Sequence, residues 1–256
     1  MLSKLFFNQT LTIKIIQNRQ IMQRKYKNSY KNIYFDLDRT LWDFQSNSEQ
    51  TLSELLEKYA PELMPRKNEF LKIYHQVNEV LWIKYREGEL SKELLRTQRF
   101  IDTFTAMDFP CNGICEAMSI DYITESPLKT GLFPYSLEIL EYLKQKGYRL
   151  FLITNGFSEV QDVKIRCSGL EPFFEKMITS EEAGYQKPHR KIFEYALKTV
   201  NARKNESIMI GDDLENDILG AQRIGMDTVF FNPQKISHQQ NTTFEINHLK
   251  DLQLIL

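Results

Sequence analysis

Three features are scarce in this chain of 256 residues: cysteine, an excess of charge of one sign, and long apolar runs in its first segment. The three cysteines, Cys111, Cys115 and Cys167, are an odd number without a CxxC pair, so we expect free thiols in a reducing compartment. The net charge of −1 provides no basic surface for a nucleic-acid polymer or a membrane. The composition therefore predicts a cytoplasmic protein that binds neither.

The first 30 residues differ from the rest because they are rich in Lys, Asn and Gln. Lys14 and Gln17 interrupt their apolar residues, so no stretch there is long enough for a transmembrane helix or a secretory signal. We expect residues 1–30 to be a loose extension, with Met22 an alternative start and the folded pattern beginning at about Lys31. A weak amphipathic targeting helix stays open as the other interpretation.

The chain as a whole has enough apolar residues to bury a core, at 42% apolar and 12% aromatic. Short apolar runs alternate with helical patterns along most of it. The candidate strands are residues 32–35, 148–153, 177–179, 207–210 and 228–231, and the candidate helices are residues 135–146, 191–200 and 215–224. This alternation predicts an α/β fold with a Rossmann-like parallel-sheet core and right-handed crossovers.

One interval, from about Ser46 to Pro127, contains no strand candidate. Its clearest helical spacing is Phe70, Ile73, Tyr74, Val77, Val80 and Leu81. We therefore predict an inserted all-helical cap domain over residues 46–127, with the α/β core built from residues 31–45 and 128–256. A cap at the carboxyl ends of the strands would exclude water from a ligand bound there.

Four polar segments follow apolar runs or lie between them, and together they predict one site at one edge of the sheet. They are Asp36-Leu37-Asp38-Arg39-Thr40, Thr154-Asn155-Gly156, Lys187-Pro188, and Gly211-Asp212-Asp213 with Asp217. Each has an ordinary explanation when taken alone: a polar turn, turn chemistry, a loop lysine and a helix N-cap, respectively. Their occurrence in this order favours a catalytic interpretation.

Carboxylates without nearby His or Cys favour Mg²⁺ as the metal. We predict that Asp36 attacks phosphorus to form an aspartyl phosphate, while the metal offsets the repulsion between two anions. Asp38 would protonate the leaving alkoxide and then activate the water that releases phosphate. Asp213 and Asp217 are assigned supporting roles, Asp217 in holding the loop or supporting the metal.

Three further residues are predicted to bind the phosphoryl group. The hydroxyl of Thr154 and the amide of Asn155 would hold its oxygens, and Lys187 would balance the charge that develops in the transition state. The predicted activity is therefore Mg²⁺-dependent hydrolysis of a small-molecule phosphate ester.

The four segments resemble the motifs of the haloacid dehalogenase-type phosphohydrolases, and the resemblance extends from about residue 31 to the end of the chain. In that family the residues matching Asp36 and Asp212 bind magnesium through their side chains, and the residue matching Asp38 binds it through its backbone carbonyl. The residues matching Thr154 and Lys187, with the Asn that follows the former, contact the phosphoryl group. The resemblance thus implies the metal ligands and a helical cap of the family's type.

Further segments are similar to the bacterial pyrimidine 5'-nucleotidases of this superfamily. They are Thr40-Leu41-Trp42-Asp43-Phe44, Leu132-Phe133-Pro134, Ile153-Thr154-Asn155-Gly156-Phe157, Thr179-Ser180-Glu181-Glu182-Ala183-Gly184 and Ile192-Phe193-Glu194-Tyr195-Ala196-Leu197. The similarity implies a nucleoside monophosphate substrate, and the sequence leaves open whether the chain is a monomer or a homodimer. Two departures are present. Arg39 stands where Asp or Gly is common. His189-Arg190 replace Asp-Pro, and the loss of this Asp predicts a weaker helix cap.

Trp42 directly follows the nucleophile loop and is a candidate for substrate contact, with core packing as the alternative. Other activities stay open at this point. A phosphatase for phosphoglycolate or sugar phosphates, or a phosphomutase, would keep every motif. A haloacid dehalogenase would need neither Asp38 nor Asp212, and a non-enzymatic phosphoaspartate scaffold would need no acid/base at Asp38.

Overall fold

The computed structural model describes residues 30–256, so the extension predicted over residues 1–30 lies almost entirely outside the described residues. A six-stranded sheet with the order β3-β2-β1-β4-β5-β6 forms the centre of one unit, and every neighbouring pair is parallel. Its strands are β1 (Asn32–Phe35), β2 (Arg149–Thr154), β3 (Lys176–Thr179), β4 (Ser207–Gly211), β5 (Asp227–Phe231) and β6 (Phe244–Ile246). The predicted Rossmann-like α/β fold is confirmed.

The central strands are buried because their sequences are apolar on both faces, as parallel strands covered by helices require. Every residue of β1 and β4 is buried. Phe35 of β1 pairs with Leu152 of β2 on one side and with Ile210 of β4 on the other. The strand order reverses at β1, and in open α/β sheets such a reversal opens a crevice at the carboxyl ends of the strands.

The two longer helices that accompany the sheet are amphipathic and pack through their apolar faces. They are α5 (Ser136–Gln145), α7 (Ser180–Ala183), α8 (Arg190–Thr199) and α9 (Gly220–Gln222), the last preceded by a π-helical turn at Leu214–Leu219. A cluster of buried side chains joins β1, β2 and β4 to α8, and in it the rings of Tyr34 and Phe151 stack with centroids 5.1 Å apart. The predicted helix at residues 215–224 is thus a π-helical turn followed by one short α-helix.

A second unit is helical. Its helices are α1 (Phe44–Tyr59), α2 (Lys67–Arg86), α3 (Lys92–Ala106), α4 (Ile114–Glu125) and α6 (Ser158–Cys167). Local sequence fixes where two of them begin: Asp43 accepts a hydrogen bond from the Ser46 amide at α1, and Ser91 accepts one from the Leu94 amide at α3. The predicted inserted helical domain is confirmed, whereas α6 was not predicted.

Aromatic rings form the core of this helical unit. Phe70 and Tyr74 of α2 pack against Phe104 and Phe100 of α3, with ring centroids 5.6 and 5.3 Å apart respectively. The predicted stripe on α2 is wrong at one position, because Val80 is 52% exposed. Residues of α2 that the stripe omitted, Leu71 and Asn78, are buried instead.

By its internal contacts the chain divides into two units. Within the described residues, the sheet unit comprises the chain up to Leu41, Phe133–Thr154 and Pro172–Leu256, and the helical unit comprises Trp42–Leu132 and Asn155–Glu171. The segment 155–171 therefore groups with the helices rather than with the sheet. The domain boundaries expected from the sequence, at residues 45/46 and 127/128, stay predictions.

The cysteines differ from expectation. Cys111 and Cys115 form a disulfide, so the prediction of three free thiols is wrong for this pair, and only Cys167 is an exposed free thiol among the described residues. The physical reason is that the turn before α4 brings the two Cα atoms to 5.6 Å, within the range that a disulfide spans. None of the helices in residues 30–256 is long and apolar enough to cross a membrane.

Candidate active site

The predicted site residues of the sheet unit lie at the carboxyl ends of three neighbouring strands. Asp36 follows β1, Thr154 is the last residue of β2, and Asp212 follows β4. The amide of Asp36 donates to the carbonyl of Ile210, so the β1–β4 pairing continues as far as the aspartate. The local sequence places these residues here because each apolar run ends at the residue where the polar segment begins.

Lys187 reaches this edge from the loop between α7 and α8. Its Nζ lies 2.5 Å from Asp36 Oδ1 and 2.6 Å from Asp217 Oδ1, and it donates to the carbonyl of Ile153 at 2.9 Å. The side chain is 3% exposed. The ammonium is therefore enclosed by two carboxylates and a strand end, which fixes its position relative to Asp36.

Asp212 and Asp217 complete the acidic cluster. Carboxylate oxygens of Asp36, Asp212 and Asp217 all lie within 4.8 Å of one another. The hydroxyl of Thr40 donates to Asp212 Oδ1 at 3.1 Å, and the amide of Asp213 donates to Asp217 Oδ2 at 3.2 Å. Thr40 belongs to a predicted motif, but no role was predicted for it. Its position four residues after Asp36 is the feature of the sequence that could have indicated a place in the site.

Gly211 explains how Asp217 enters the cluster. A Cβ atom on Gly211 would overlap the carboxylate of Asp217, so only glycine leaves room for that side chain beside the end of β4. The backbone turn after β4 thus brings Asp217 back over the strand that precedes it. The sequence predicted a supporting position for Asp217, whereas the structure places it directly among the carboxylates.

The electrostatics of the cluster are set by an excess of negative charge. Three carboxylates and one ammonium leave 3 − 1 = 2 negative charges without a partner in the cluster when all are ionised. Burial raises the pKa of Asp36 and of Asp212 above the usual range, and it raises the pKa of Asp217 to about 7, although Lys187 lowers the values of Asp36 and Asp217. Burial opposes the charge of Lys187, but Asp217 and Asp36 outweigh it and raise the lysine pKa.

These residues fit a divalent cation. Carboxylate oxygens are the ligands that Mg²⁺ prefers, and the cluster contains no His or Cys. A charge of +2 would match the two unpaired negative charges and would favour the ionised carboxylates that burial disfavours. Asp36 and Asp212 were predicted as metal ligands, and they lie in this group together with Asp217.

Asp38 and Arg39 lie beyond the nucleophile in the loop after β1. Asp38 is half-buried, and its charge contributes to raising the pKa of Asp36, which places it near that carboxylate. Its side chain is not one of the three in the acidic cluster. Arg39 has a φ of +68°, a left-handed conformation that favours glycine or aspartate over arginine. This conformation suits the Asp or Gly that is common at this position in the resembled family, and nothing in the structure explains the arginine.

The three other predicted substrate contacts are divided between the two units. Thr154 is buried in the sheet unit, and Asn155, half-buried, belongs to the helical unit. Trp42 also belongs to the helical unit, where its ring is fully buried, its indole N–H donates to the carbonyl of Lys129 at 3.1 Å, and the Lys164 ammonium lies 4.2 Å from its ring. The roles of all three in binding substrate stay predictions.

Two other polar residues cap helices. Asp213 Oδ1 accepts hydrogen bonds from the amides of Glu215 and Asn216, each at 2.9 Å, so it supports the loop that carries Asp217. His189 Nδ1 accepts from the amide of Lys191 at 3.2 Å at the start of α8. The imidazole of His189 therefore caps α8, whereas a weak cap was predicted because the usual aspartate is absent there.

This chain is similar to known proteins over most of its length. The family model described as haloacid dehalogenase-like hydrolase matches residues 33–231. The HAD-hydrolase YfnB of Bacillus subtilis is 31% identical over 89% of this chain and 95% of its own, and the pyrimidine 5'-nucleotidase YjjG of Escherichia coli is 30% identical over 88% and 96%. A glyceraldehyde 3-phosphate phosphatase of Pyrococcus abyssi is 35% identical over 78% and 81%.

A solved structure shares this arrangement over nearly its whole length. It is that of YfnB bound to magnesium, which matches with a TM-score of 0.80 and 28% identity and covers 89% of this chain and 99% of its own. The acidic edge of the parallel sheet, the inserted helical unit and the family match lead to one conclusion. This chain belongs to the haloacid dehalogenase-like hydrolases.

Proposed function

We propose that this protein is a Mg²⁺-dependent phosphomonoester hydrolase that acts through an aspartyl phosphate on Asp36. The observation that carries the proposal is the contact between Lys187 Nζ and Asp36 Oδ1, 2.5 Å long, within a cluster of carboxylates at the carboxyl edge of the sheet. A buried carboxylate held by a lysine beside further carboxylates provides a nucleophile, a cation for the phosphoryl group and a place for a metal.

The residues would divide the reaction into two steps. Because Lys187 holds Oδ1 of Asp36, we assign attack on phosphorus to Oδ2, which forms an O–P bond as the ester O–P bond breaks. Asp38 gives its proton to the leaving alkoxide. It then removes a proton from the water that attacks phosphorus, so that phosphate leaves and Asp36 is regenerated.

Asp36, Asp212 and Asp217 would hold the metal, with Thr40 fixing the orientation of Asp212. When bound, Mg²⁺ supplies positive charge that reduces repulsion between the anionic nucleophile and the anionic substrate. Lys187 would supply a second positive charge, which burial between two carboxylates keeps in place.

For the substrate, we propose a pyrimidine nucleoside monophosphate. The name and near full-length match of YjjG support this choice. A sugar phosphate is the second candidate, favoured by the 35% identity to the phosphatase of Pyrococcus abyssi.

The test is phosphate release with Mg²⁺ and with EDTA from dUMP, dTMP, UMP, purine monophosphates, phosphoglycolate and glyceraldehyde 3-phosphate. We expect Mg²⁺-dependent release that is fastest with pyrimidine monophosphates. Fastest release from glyceraldehyde 3-phosphate or phosphoglycolate would keep the mechanism and replace the substrate. Transfer to a second hydroxyl without release would indicate a phosphomutase, and no turnover of any ester would indicate a scaffold.

A further inference from the structure

Asn155, a predicted phosphoryl ligand, directly follows the last residue of β2 but belongs to the helical unit. It begins the segment Asn155–Glu171, of which α6 is the main part, whereas Thr154 before it belongs to the sheet unit. A side chain stabilises a transition state only when it is held in the required geometry. The contacts of the residues that follow Asn155 therefore bear on how its amide is positioned.

Phe157 lies just before α6 and packs among side chains of α2 and α3. The Trp82 ring stacks on it with centroids 5.3 Å apart, and the Tyr85 ring lies nearly perpendicular to it with centroids 5.5 Å apart. The ammonium of Lys92 and the guanidinium of Arg96 lie 4.5 and 5.1 Å from the centre of the same ring. Aromatic and cation–π contacts are attractive and depend on orientation, so they hold the ring of Phe157 against both helices.

Glu159, in the first turn of α6, pairs with the same two cations. Lys92 Nζ lies 2.9 Å from Glu159 Oε1 and 3.0 Å from Oε2, and the Arg96 guanidinium also donates to Oε1. Burial opposes the charge of this carboxylate, but hydrogen bonds from Lys92, from the glutamate's own amide and from Arg96 outweigh burial and lower the pKa of Glu159. The carboxylate is 54% exposed, and exposed ion pairs contribute little to the free energy of unfolding. We therefore expect this pairing to act on the geometry of the segment more than on stability.

Gly156 allows a third contact in the same segment. A Cβ atom on Gly156 would lie 2.3 Å from Gln161 Nε2, and the Gln161 side chain is fully buried. Only glycine at this position, next to Asn155, leaves room for that amide. The carbonyl of Phe157 also accepts a hydrogen bond from the backbone amide of Gln161 at 3.0 Å. The chain between Asn155 and Gln161 is thus held at several points, all within the helical unit.

We propose that Glu159 is a positioning residue for the phosphoryl ligand Asn155. Its pairing with Lys92 and Arg96 fixes the start of α6 on α3, and the short chain through Gly156 transmits this position to the Asn155 amide. The amide then donates to a phosphoryl oxygen in the geometry that the transition state requires. The proposal rests on the proposed hydrolase function and deepens it, because it assigns to the helical unit the placement of one group that binds phosphate.

The test is a double-mutant cycle between Glu159 and Asn155. The quantity measured is kcat/KM in the full chain with Mg²⁺, for the phosphate ester that the wild-type protein hydrolyses fastest. Glu159→Gln keeps the shape of the side chain but loses its charge, and it should lower kcat/KM about tenfold. Asn155→Ala should lower kcat/KM about 100-fold. If Glu159 acts through Asn155, the double variant should be less than about twofold worse than Asn155→Ala alone.

Two controls separate positioning from folding. Glu69→Gln removes an exposed glutamate of α2 that pairs with Arg66 at 2.8 Å and lies outside this segment, so it should leave kcat/KM unchanged. Urea unfolding should give nearly the same midpoint for Glu159→Gln as for the wild-type protein, because the pair is exposed. In addition, Arg96→Lys keeps a positive charge beside Glu159 and should retain more activity than Arg96→Met.

Three results would overturn the proposal. Losses that multiply in the double variant would show that Glu159 acts independently of Asn155. An unchanged kcat/KM in Glu159→Gln would show that its pairing with α3 has no bearing on the reaction. A fraction of unfolded protein large enough to account for the lost activity would show that Glu159 only supports the fold.

Failure of the proposed function can be recognised separately. If the wild-type protein hydrolyses no ester, calorimetric titration with inorganic phosphate and Mg²⁺ replaces turnover in the same cycle. Phosphate binding that Asn155→Ala and Glu159→Gln each weaken, with no further weakening in the double variant, would support the positioning role while the hydrolase function fails. Phosphate binding that neither substitution changes, or no binding to the wild-type protein, would overturn the role of Asn155 and with it the proposal.

Discussion

Both units of this protein have an apolar core, but the sheet unit also buries a cluster of carboxylates and an ammonium. The sheet unit buries Asp36, Lys187 and Asp217 together at the end of its strands. The helical unit buries rings, among them Phe70 and Phe104, whose contacts define the packing of α2 on α3. One centre is held partly by charge balance and the other by apolar contact.

The difference shows where stability and chemistry depend on each other. Buried charges contribute little net stability, but removal of one partner is costly because the others remain without compensation. Apolar packing stabilises without reference to protonation or metal. We therefore expect the sheet unit to respond to pH and to divalent cations, and the helical unit to respond mainly to changes of side-chain volume.

The largest effect expected in the sheet unit is on activity. Asp36→Asn should lower phosphate release by at least roughly 10⁴-fold, because the amide is nearly isosteric but a poor nucleophile. The thermal midpoint should change little, since the substitution also removes repulsion among the three carboxylates. Asp162→Asn, an exposed aspartate of α6, is the matched control. Wild-type turnover in the Asp36 variant would remove the basis for assigning chemistry to this cluster.

The next effect is on the stability of the sheet unit. Lys187→Met leaves three buried carboxylates without their cation and should cost about 3 to 5 kcal/mol of unfolding free energy in EDTA at pH 8. A carboxyl group whose folded pKa lies above its unfolded value loses stability as pH rises between the two, and the pKa of Asp217 is already raised to about 7. The variant should therefore regain stability as pH falls from 8 towards 5.

Urea unfolding across this pH range measures that recovery, with Lys191→Met as the exposed control. Added Mg²⁺ should also restore stability at pH 8, because it binds only the folded cluster. A loss of stability that is the same at pH 5 and pH 8 would mean that packing, rather than charge balance, governs this centre.

In the helical unit the corresponding test is a change of volume. Phe104 is fully buried between Phe70 and Phe109, so Phe104→Ala should cost about 3 to 4 kcal/mol by leaving a cavity. The loss should be equal at pH 5 and pH 8 and unaffected by Mg²⁺. Ile120→Ala, at a side chain that is 61% exposed, should change little in the same urea titrations. A loss of unfolding free energy in the Phe104 variant that depends strongly on pH would contradict the expected difference between the two units.

The smallest effect concerns the backbone beside Asp38. Arg39 has a φ of +68°, so Arg39→Gly should be more stable than Arg39→Ala by about 1 kcal/mol. Both variants lose the same side chain, and the difference in their urea midpoints therefore isolates the left-handed conformation. Equal midpoints would show that this turn carries no conformational cost.

Much of the site could be predicted because its parts are local. Asp36, Thr154 and Asp212 each end or follow an apolar run. Parallel strands are buried on both faces, so we expect such a strand to end where the polar residues begin. The strand β6 was missed because it has only three residues and carries Glu245 at its centre. The stripe on α2 was misjudged at Val80 because helical spacing alone does not show how wide the buried face is.

The sequence by itself determined the α/β class, the inserted helical unit and the polar segments at the carboxyl ends of the strands, because periodicity and strand ends depend on neighbouring residues. Only the tertiary structure decided that Lys187 contacts both Asp36 and Asp217 and that Gly211 makes room for Asp217. These contacts join residues far apart in the chain, and their positions depend on how whole elements pack rather than on local pattern.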